Sequence, residues 1–434
     1  MEPRPVMIYA AEDSPRLRYV AGIIIGDILG LKWDLITDKR KLGKHDVINY
    51  SDENIKDSFR ISPSSILFEK GIKEKEIIIE KWRDLPVFFQ TSYGSDLPFD
   101  IFAASFYLIS RYEEYLEFEP DEYGRFRAFL SLSFRNGFLG IPVVDLWARE
   151  FARGLLKKFH TLAFKRNEFK SVITFDADEP FEYLGKGIIR SLGGLIRDLT
   201  VNEGNAGERY KTVTGGKPDP FEVFDYITEC IDRNNSDAIF FFPVGDRSKY
   251  DHNPSWKNVD YRSLILRLAG KYKHGIHPSF NASESFPVME KEVKRYSSII
   301  VSEGKLSRFH YLRLKLPNSY RILLQAGIEE DYSMGYHDEP GFRAGIARPF
   351  YFYDIENEIT TKLRVFPFQM MDVTMFKYKK VDSNASLEII LKLIGETRKA
   401  GGLFVTIWHN TSLLDNPDSR PWRFVFESML NAQK

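Results

Sequence analysis

The chain has 434 residues, enough for two domains, and its 43% apolar and 28% charged content is ordinary for a globular protein. Lys+Arg and Asp+Glu both number 61, so there is no net basic field, which argues against non-specific nucleic-acid binding as the main role. The single cysteine, Cys230, excludes an internal disulfide framework and a Cys-rich zinc site, and on a predicted helix it reads as a small core residue.

The start, Met1 to Pro5, lacks the basic and apolar regions of a secretory leader, and the apolar run Ala21 to Leu31 is interrupted by Asp27. That run is too short to span a bilayer, so the expectation is a cytoplasmic protein without membrane insertion. Pro5 to Tyr9 predicts a strand, and Ser14 to Ile28 an amphipathic helix with Ser14 and Pro15 at its start. Lys32 to Ile36 predicts a second strand, followed by a helix near Asp100 to Tyr115. A loop-rich stretch covers Asp121 to Arg135, and a further helix Val144 to Phe159. These make a smaller mixed α/β N-terminal domain over residues 1–165, with Arg166 to Glu168 as the linker.

From Lys170 strands and helices alternate. Expected strands are Ser171–Phe175, Ala238–Val244, His274–His277, Ser307–Leu312, Ala344–Phe350, Val365–Met370 and Leu403–Trp408. Helical spacing marks Asp219–Arg233, Tyr261–Tyr272, Pro287–Ser302, Ser319–Ala326 and Ser383–Ala400, the last stopped by Gly401-Gly402. This alternation predicts parallel strands with helical crossovers over residues 166–434, and a (β/α) barrel suits that length better than a doubly wound sheet. No Gly-rich phosphate loop follows the first strand.

Four polar clusters fall at expected strand ends, where α/β folds place their sites. In Thr174-Phe175-Asp176-Ala177-Asp178 the two carboxylates share a face of an extended backbone. One suits a cation and its neighbour a base, while the plainer reading is a cap and a solvated side chain. His277, followed by Pro278, suits a metal ligand or a structural histidine. Arg308 and His310 suit a clamp and a sugar-hydroxyl donor, or a surface Arg and a capping His. His409 ends the last apolar strand beside Trp408, and closure of a barrel would bring it near Asp176 as a candidate general acid.

The order Thr-Phe-Asp-x-Asp, His-Pro-Ser, Arg-x-His-Tyr and a late Trp-His-Asn resembles the polysaccharide deacetylases of carbohydrate esterase family 4. It is most similar to a divergent bacterial branch with an added N-terminal domain of unknown function. Asp331 to Tyr336, Phe342-Arg343-Ala344-Gly345 and Phe366 to Gln369 are also similar to that branch, and Leu97 to Tyr115 resembles the added domain. The resemblance implies a distorted seven-stranded (β/α) barrel and metal-assisted removal of N- or O-acetyl groups from carbohydrates. It implies Asp176 as general base, His409 as general acid, and Asp178 and His277 as ligands of a divalent metal, most simply zinc. Arg308 would orient the base and Asp331 would pair with that Arg. Arg308, His310, Asp331, Arg343 and Trp408 are expected to meet the substrate. Asn281 stands where the family usually supplies a second ligating histidine, and His310 where proline is common. An amide is a weaker zinc ligand than imidazole, so weakened metal affinity is expected.

The expected function is therefore a carbohydrate deacetylase or related hydrolase acting on a glycan or glycan precursor, in surface polysaccharide biosynthesis by family analogy. A non-catalytic carbohydrate-binding or scaffold protein on the same barrel is the alternative. A weaker third reading is a metal-free glycosidase whose second acid is Asp331, about 5–10 Å from Asp176. The sequence leaves the oligomeric state open.

Overall fold

The computed structural model describes residues 5–184, 206–300 and 305–434. The start at Met1 to Arg4, on which the expected absence of a leader turned, lies outside the described residues, as do the last residues of the expected 287–302 helix, described as Phe286–Ile299.

Strand β1 (Val6–Ala10) is buried throughout and pairs in parallel with β2 (Trp33–Ile36) and β3 (Val47–Tyr50), and β4 (Phe59–Arg60) joins β3. Between β1 and β2, Ser14 caps a helix Pro15–Ala21 that continues as a π-helical segment, Gly22–Ile28. A hairpin joins β5 (Glu80–Trp82) to β6 (Leu85–Val87). Helix Ile101–Ile109 is buried along its whole length, and its cap Asp100 accepts the N–H groups of Phe102 and Ala103. The amphipathic helix Val143–Lys158 closes this part of the chain. Strands β3 to β6 were not legible in the sequence because two to four residues are too few to show a period of two.

Among the described residues the second sheet holds nine strands. They are β7 (Lys170–Asp176), β8 (Ala238–Phe242), β9 (Lys273–Ile276), β10 (Leu306–Ser307), β11 (Glu330–Asp331), β12 (Phe350–Asp354), β13 (Ile359–Val365), β14 (Met370–Met371) and β15 (Leu403–His409). Their spatial order is β12-β13-β11-β10-β9-β8-β7-β15-β14. All neighbours are parallel except the β12–β13 edge hairpin.

This is a mixed α/β architecture with parallel sheets, and among the described residues the ladder is open where a distorted seven-stranded (β/α) barrel was expected. The segment after β13 changes neighbours instead of closing a ladder: Phe366 N donates to Asp331 O, whereas Gln369 N donates to Val405 O. Pro367 lies between them and has no N–H to offer. The Gln369 amide substitutes for a backbone rung by accepting from Val405 N. The expected strand Ala344–Phe350 also forms only from Phe350 onward. Gly345 has φ +67, and a Cβ there would meet Leu108 at 2.8 Å. Its carbonyl accepts Val144 N, and Ala347 N donates to Asp145, so these residues bond chiefly to the Val143–Lys158 helix, with one bond from Leu403 N of β15 to the Ala347 carbonyl.

Register fixes which residues share the rim of the parallel sheet. His409 lies directly opposite Asp176, Phe241 opposite Asp176 on the other side, and Ser307 opposite Ile276. A Cβ at Gly275 would stand 2.6 Å from Leu306 O, so only glycine lets β9 and β10 approach this closely. Beneath the rim, Phe175 and Phe240 stack with centroids 5.0 Å apart. No helix among the described residues is long and apolar enough to cross a membrane.

Candidate active site

A cavity of about 240 Å³ opens at the carboxyl ends of these strands, lined by Asp176, Asp178, His277, His310 and His409 among others. Asp176 ends β7, His409 ends β15, and His277 follows β9, so three parallel strands deliver their last side chains to one place.

The three imidazoles are held alike. His277 Nδ1 lies 2.6 Å from the Arg308 carbonyl, an acceptor, so this nitrogen carries the proton. A ring with one proton then has Nε2 bare, and Nε2 faces Asp178 Oδ1 at 3.0 Å. That oxygen is buried and accepts no hydrogen bond among the described residues. His310 Nδ1 donates to Asp251 at 2.8 Å, and its Nε2 stands 3.5 Å from Asp178 Oδ2. His409 Nδ1 donates to Asp372 at 2.8 Å, with Nε2 at 3.7 Å from Asp178 Oδ2.

Two acceptors facing one another across a buried gap require a cation between them, either a proton or a metal ion. Asp178, His277 and His310 offer ligand atoms that all lie within 4.8 Å of one another. A tetrahedral zinc site with bonds of about 2.1 Å separates its ligands by about 3.4 Å, and each imidazole stands near that distance from one oxygen of Asp178, His277 from Oδ1 at 3.0 Å and His310 from Oδ2 at 3.5 Å. The oxygen acceptor behind each imidazole is the usual support of a metal-binding histidine. The donor set therefore fits a divalent cation. Without one, the charges balance internally. Burial opposes ionisation of Asp178, but His310 and His277 hold its carboxyl well below the usual range. Burial likewise opposes protonation of His310, yet Asp178 and Asp251 raise it to about 10. His409 reaches about 9 against burial, through Asp372 first and then Asp178 and Asp176.

Asp176 is set apart from this cluster. Arg308 Nη1 donates to its Oδ1 at 2.8 Å, while its Oδ2 lies 4.0 Å from His277 Nε2. Arg308 is fully buried over the Phe241 ring and donates to the Tyr332 carbonyl through Nε. It thus presents Asp176 as a carboxylate with one oxygen free toward the cavity.

Other expected site residues lie elsewhere. Asn281, expected at the metal, is exposed on the turn Phe280–Ser283 and does not line the cavity. His310 takes the third corner in its place, because it follows the short β10 and its ring is pulled inward by Asp251. Asp331 is fully buried and bonded to Ser307 and Ser333 rather than to Arg308, so it supplies no second acid to the cavity. Arg343 is buried against Glu114 and the Gly335 carbonyl. Trp408 is buried against Phe426, since its side chain alternates away from that of His409 on the strand.

The residues that sequence reasoning missed are Asp372, Asp251 and the cavity-lining Arg125, Tyr250 and Tyr378, while Tyr311 entered only as the end of the Arg-x-His-Tyr motif. Asp372 carried a usable signal: it follows the apolar Met370-Met371 as Asp176 follows its strand. Asp251 sits on a loop with no periodic pattern.

Residues 6–160 match a family of unknown function, DUF7033. No curated protein matches the chain. Among solved structures, a "putative polysaccharide deacetylase" from Mycobacterium smegmatis overlaps 62% of this chain and 86% of its own, with 12% identity and a TM-score of 0.40. A carbohydrate esterase family 4 pseudoenzyme from Bacillus anthracis overlaps 62% of each chain, with 7% identity and a TM-score of 0.31. A 4-alpha-glucanotransferase from Thermococcus litoralis overlaps 62% of this chain and 37% of its own, with 12% identity and a TM-score of 0.35. Likenesses this weak assign neither an activity nor a substrate.

Proposed function

We propose that the protein is a metal-assisted hydrolase that removes N- or O-acetyl groups from a carbohydrate. The observation that carries this reading is the bare His277 Nε2 facing the hydrogen-bond-free Asp178 Oδ1, with His310 completing a three-ligand corner beside Asp176 and His409. A divalent cation held by Asp178, His277 and His310 would supply a Lewis acid that polarises an acetyl carbonyl and lowers the pKa of water at the site.

The chain's own groups fill the remaining roles. Asp176, fixed by Arg308 at one oxygen, has its second oxygen free to take a proton from water. Asp372 holds His409 Nδ1, and the surrounding carboxylates favour its protonated form. Its Nε2–H faces the cavity and is placed to donate to the departing nitrogen or oxygen. Tyr250, Tyr311 and Tyr378 line the same cavity and give sugar rings apolar faces to pack on.

The test is metal content by elemental mass spectrometry, on wild type and Asp178→Ala after mild dialysis, followed by acetate release from acetylated glycans. About one equivalent in the wild type, none in the variant, and acetate release only by the former are expected. Metal in neither protein after addition of zinc, cobalt or nickel would sink the hydrolase reading and favour a sugar-binding protein.

A further inference from the structure

One wall of the cavity comes from a distant part of the chain. Arg125, within the region that matches the family of unknown function, lines it alongside the catalytic candidates. The turn that carries it is self-supporting: Asp121 Oδ1 accepts the N–H groups of Tyr123 and Arg125, and Gly124 takes φ +80. Arg125 is 4% exposed. Its Nε donates to Asp121 Oδ2 at 2.8 Å, and its guanidinium lies 4.8 Å from the Tyr123 ring centre.

What Arg125 holds is the residue after His310. Its Nη1 donates to the Tyr311 carbonyl at 2.8 Å. The Tyr123 ring packs 5.0 Å from that of Tyr311, and the Tyr123 carbonyl accepts Arg313 Nε at 3.0 Å. Tyr311 and Leu312 have φ of +59 and +53, two consecutive non-glycine residues in the left-handed region. Side chains disfavour this conformation, and it persists only where neighbours enforce it. Residues 121–125 supply two of the enforcing contacts, one to the Tyr311 carbonyl within the strained pair and one to Arg313 after it, beside the bonds of Arg313 to Phe280, Ser283 and Glu284.

We infer that Arg125 and its turn are a positioning device of the active site: by fixing the left-handed backbone after His310 they place that imidazole at the third metal corner. This gives the N-terminal part of the chain a role in the chemistry, and it rests on the reading of Asp178, His277 and His310 as metal ligands. Arg125 acts through Tyr311 and touches no reacting atom.

The test compares wild type, Arg125→Ala, Arg125→Lys and the control Arg83→Ala, which removes an ion pair to Glu150 elsewhere in the same region. Cobalt(II) affinity and its visible absorption are measured with the ion alone. In metal-free protein, the imidazole 1H–15N spectrum is recorded, with His310 identified by its loss in His310→Asn. The loss of an outer support typically weakens metal binding by about 10–100-fold. Arg125→Ala is expected at the lower end, with an altered spectrum and a shifted His310 signal. Arg125→Lys is expected to restore part of each, and Arg83→Ala to match wild type. If Arg125→Ala does not fold, Arg125→Lys carries the test with the same readouts. An unmoved His310 signal together with wild-type affinity overturns the inference. Failure of wild-type protein to bind cobalt overturns the metal reading instead, and the His310 signal then still decides whether Arg125 positions that ring.

Discussion

His310 stands where the resemblance put Asn281, beside Asp178 and His277, and Asn281 lies outside the cavity. His310 stands 3.5 Å from Asp178 with its far nitrogen on Asp251, whereas Asn281 is exposed outside the cavity. His310→Asn is expected to lower zinc affinity by tenfold or more, since an imidazole ligand is lost. Asn281→His is expected to leave affinity unchanged. Competition with a chromophoric chelator measures both, and a tightened site in Asn281→His would show that the turn reaches the metal.

The turn after β9 depends on Glu292, on the Phe286–Ile299 helix, whose carboxylate accepts both the N–H and the hydroxyl of Ser279. Glu292 is 2% exposed, and burial lifts it from the usual 4.5 to about 7, partly opposed by the Ser279 bonds. The unfolded chain releases this proton near pH 4.5, whereas the folded protein keeps it to about 7. The contribution of Glu292 to stability therefore falls as pH rises across that window and is flat above it. Glu292→Gln is expected to gain on wild type by roughly 1–3 kcal/mol between pH 4.5 and 8. Urea denaturation at both pH values measures this, and a pH-independent difference between the two proteins would contradict it.

Across the whole molecule, a buried charge network ties the segment after the Ile101–Ile109 helix to the segment between β11 and β12. Arg343, 3% exposed, makes two bonds to Glu114, which also accepts from Arg111. Arg111 in turn reaches Glu113 and Tyr336. Two cations and two carboxylates compensate one another, so removing one leaves a buried charge poorly matched. Arg343→Ala is expected to cost about 3–5 kcal/mol and to destabilise both parts of the chain in one transition. Chemical denaturation followed by tryptophan fluorescence and circular dichroism tests this, and two separated transitions in the wild type would show that the network does not couple them.

The sequence by itself determined the local events. Apolar runs ending in Asp176 and His409 were legible because buried parallel strands show as unbroken hydrophobic stretches, and the Ser383–Ala400 helix because its periodicity and Gly401 stop are local. The tertiary structure alone decided the partners. Nothing near Arg343 indicates that Glu114 neutralises it, and nothing near His310 indicates Asp251 or Arg125. Whether a polar side chain faces the cavity or another element depends on which distant group satisfies it. Those satisfying groups lie tens to hundreds of residues away, beyond the reach of any local pattern.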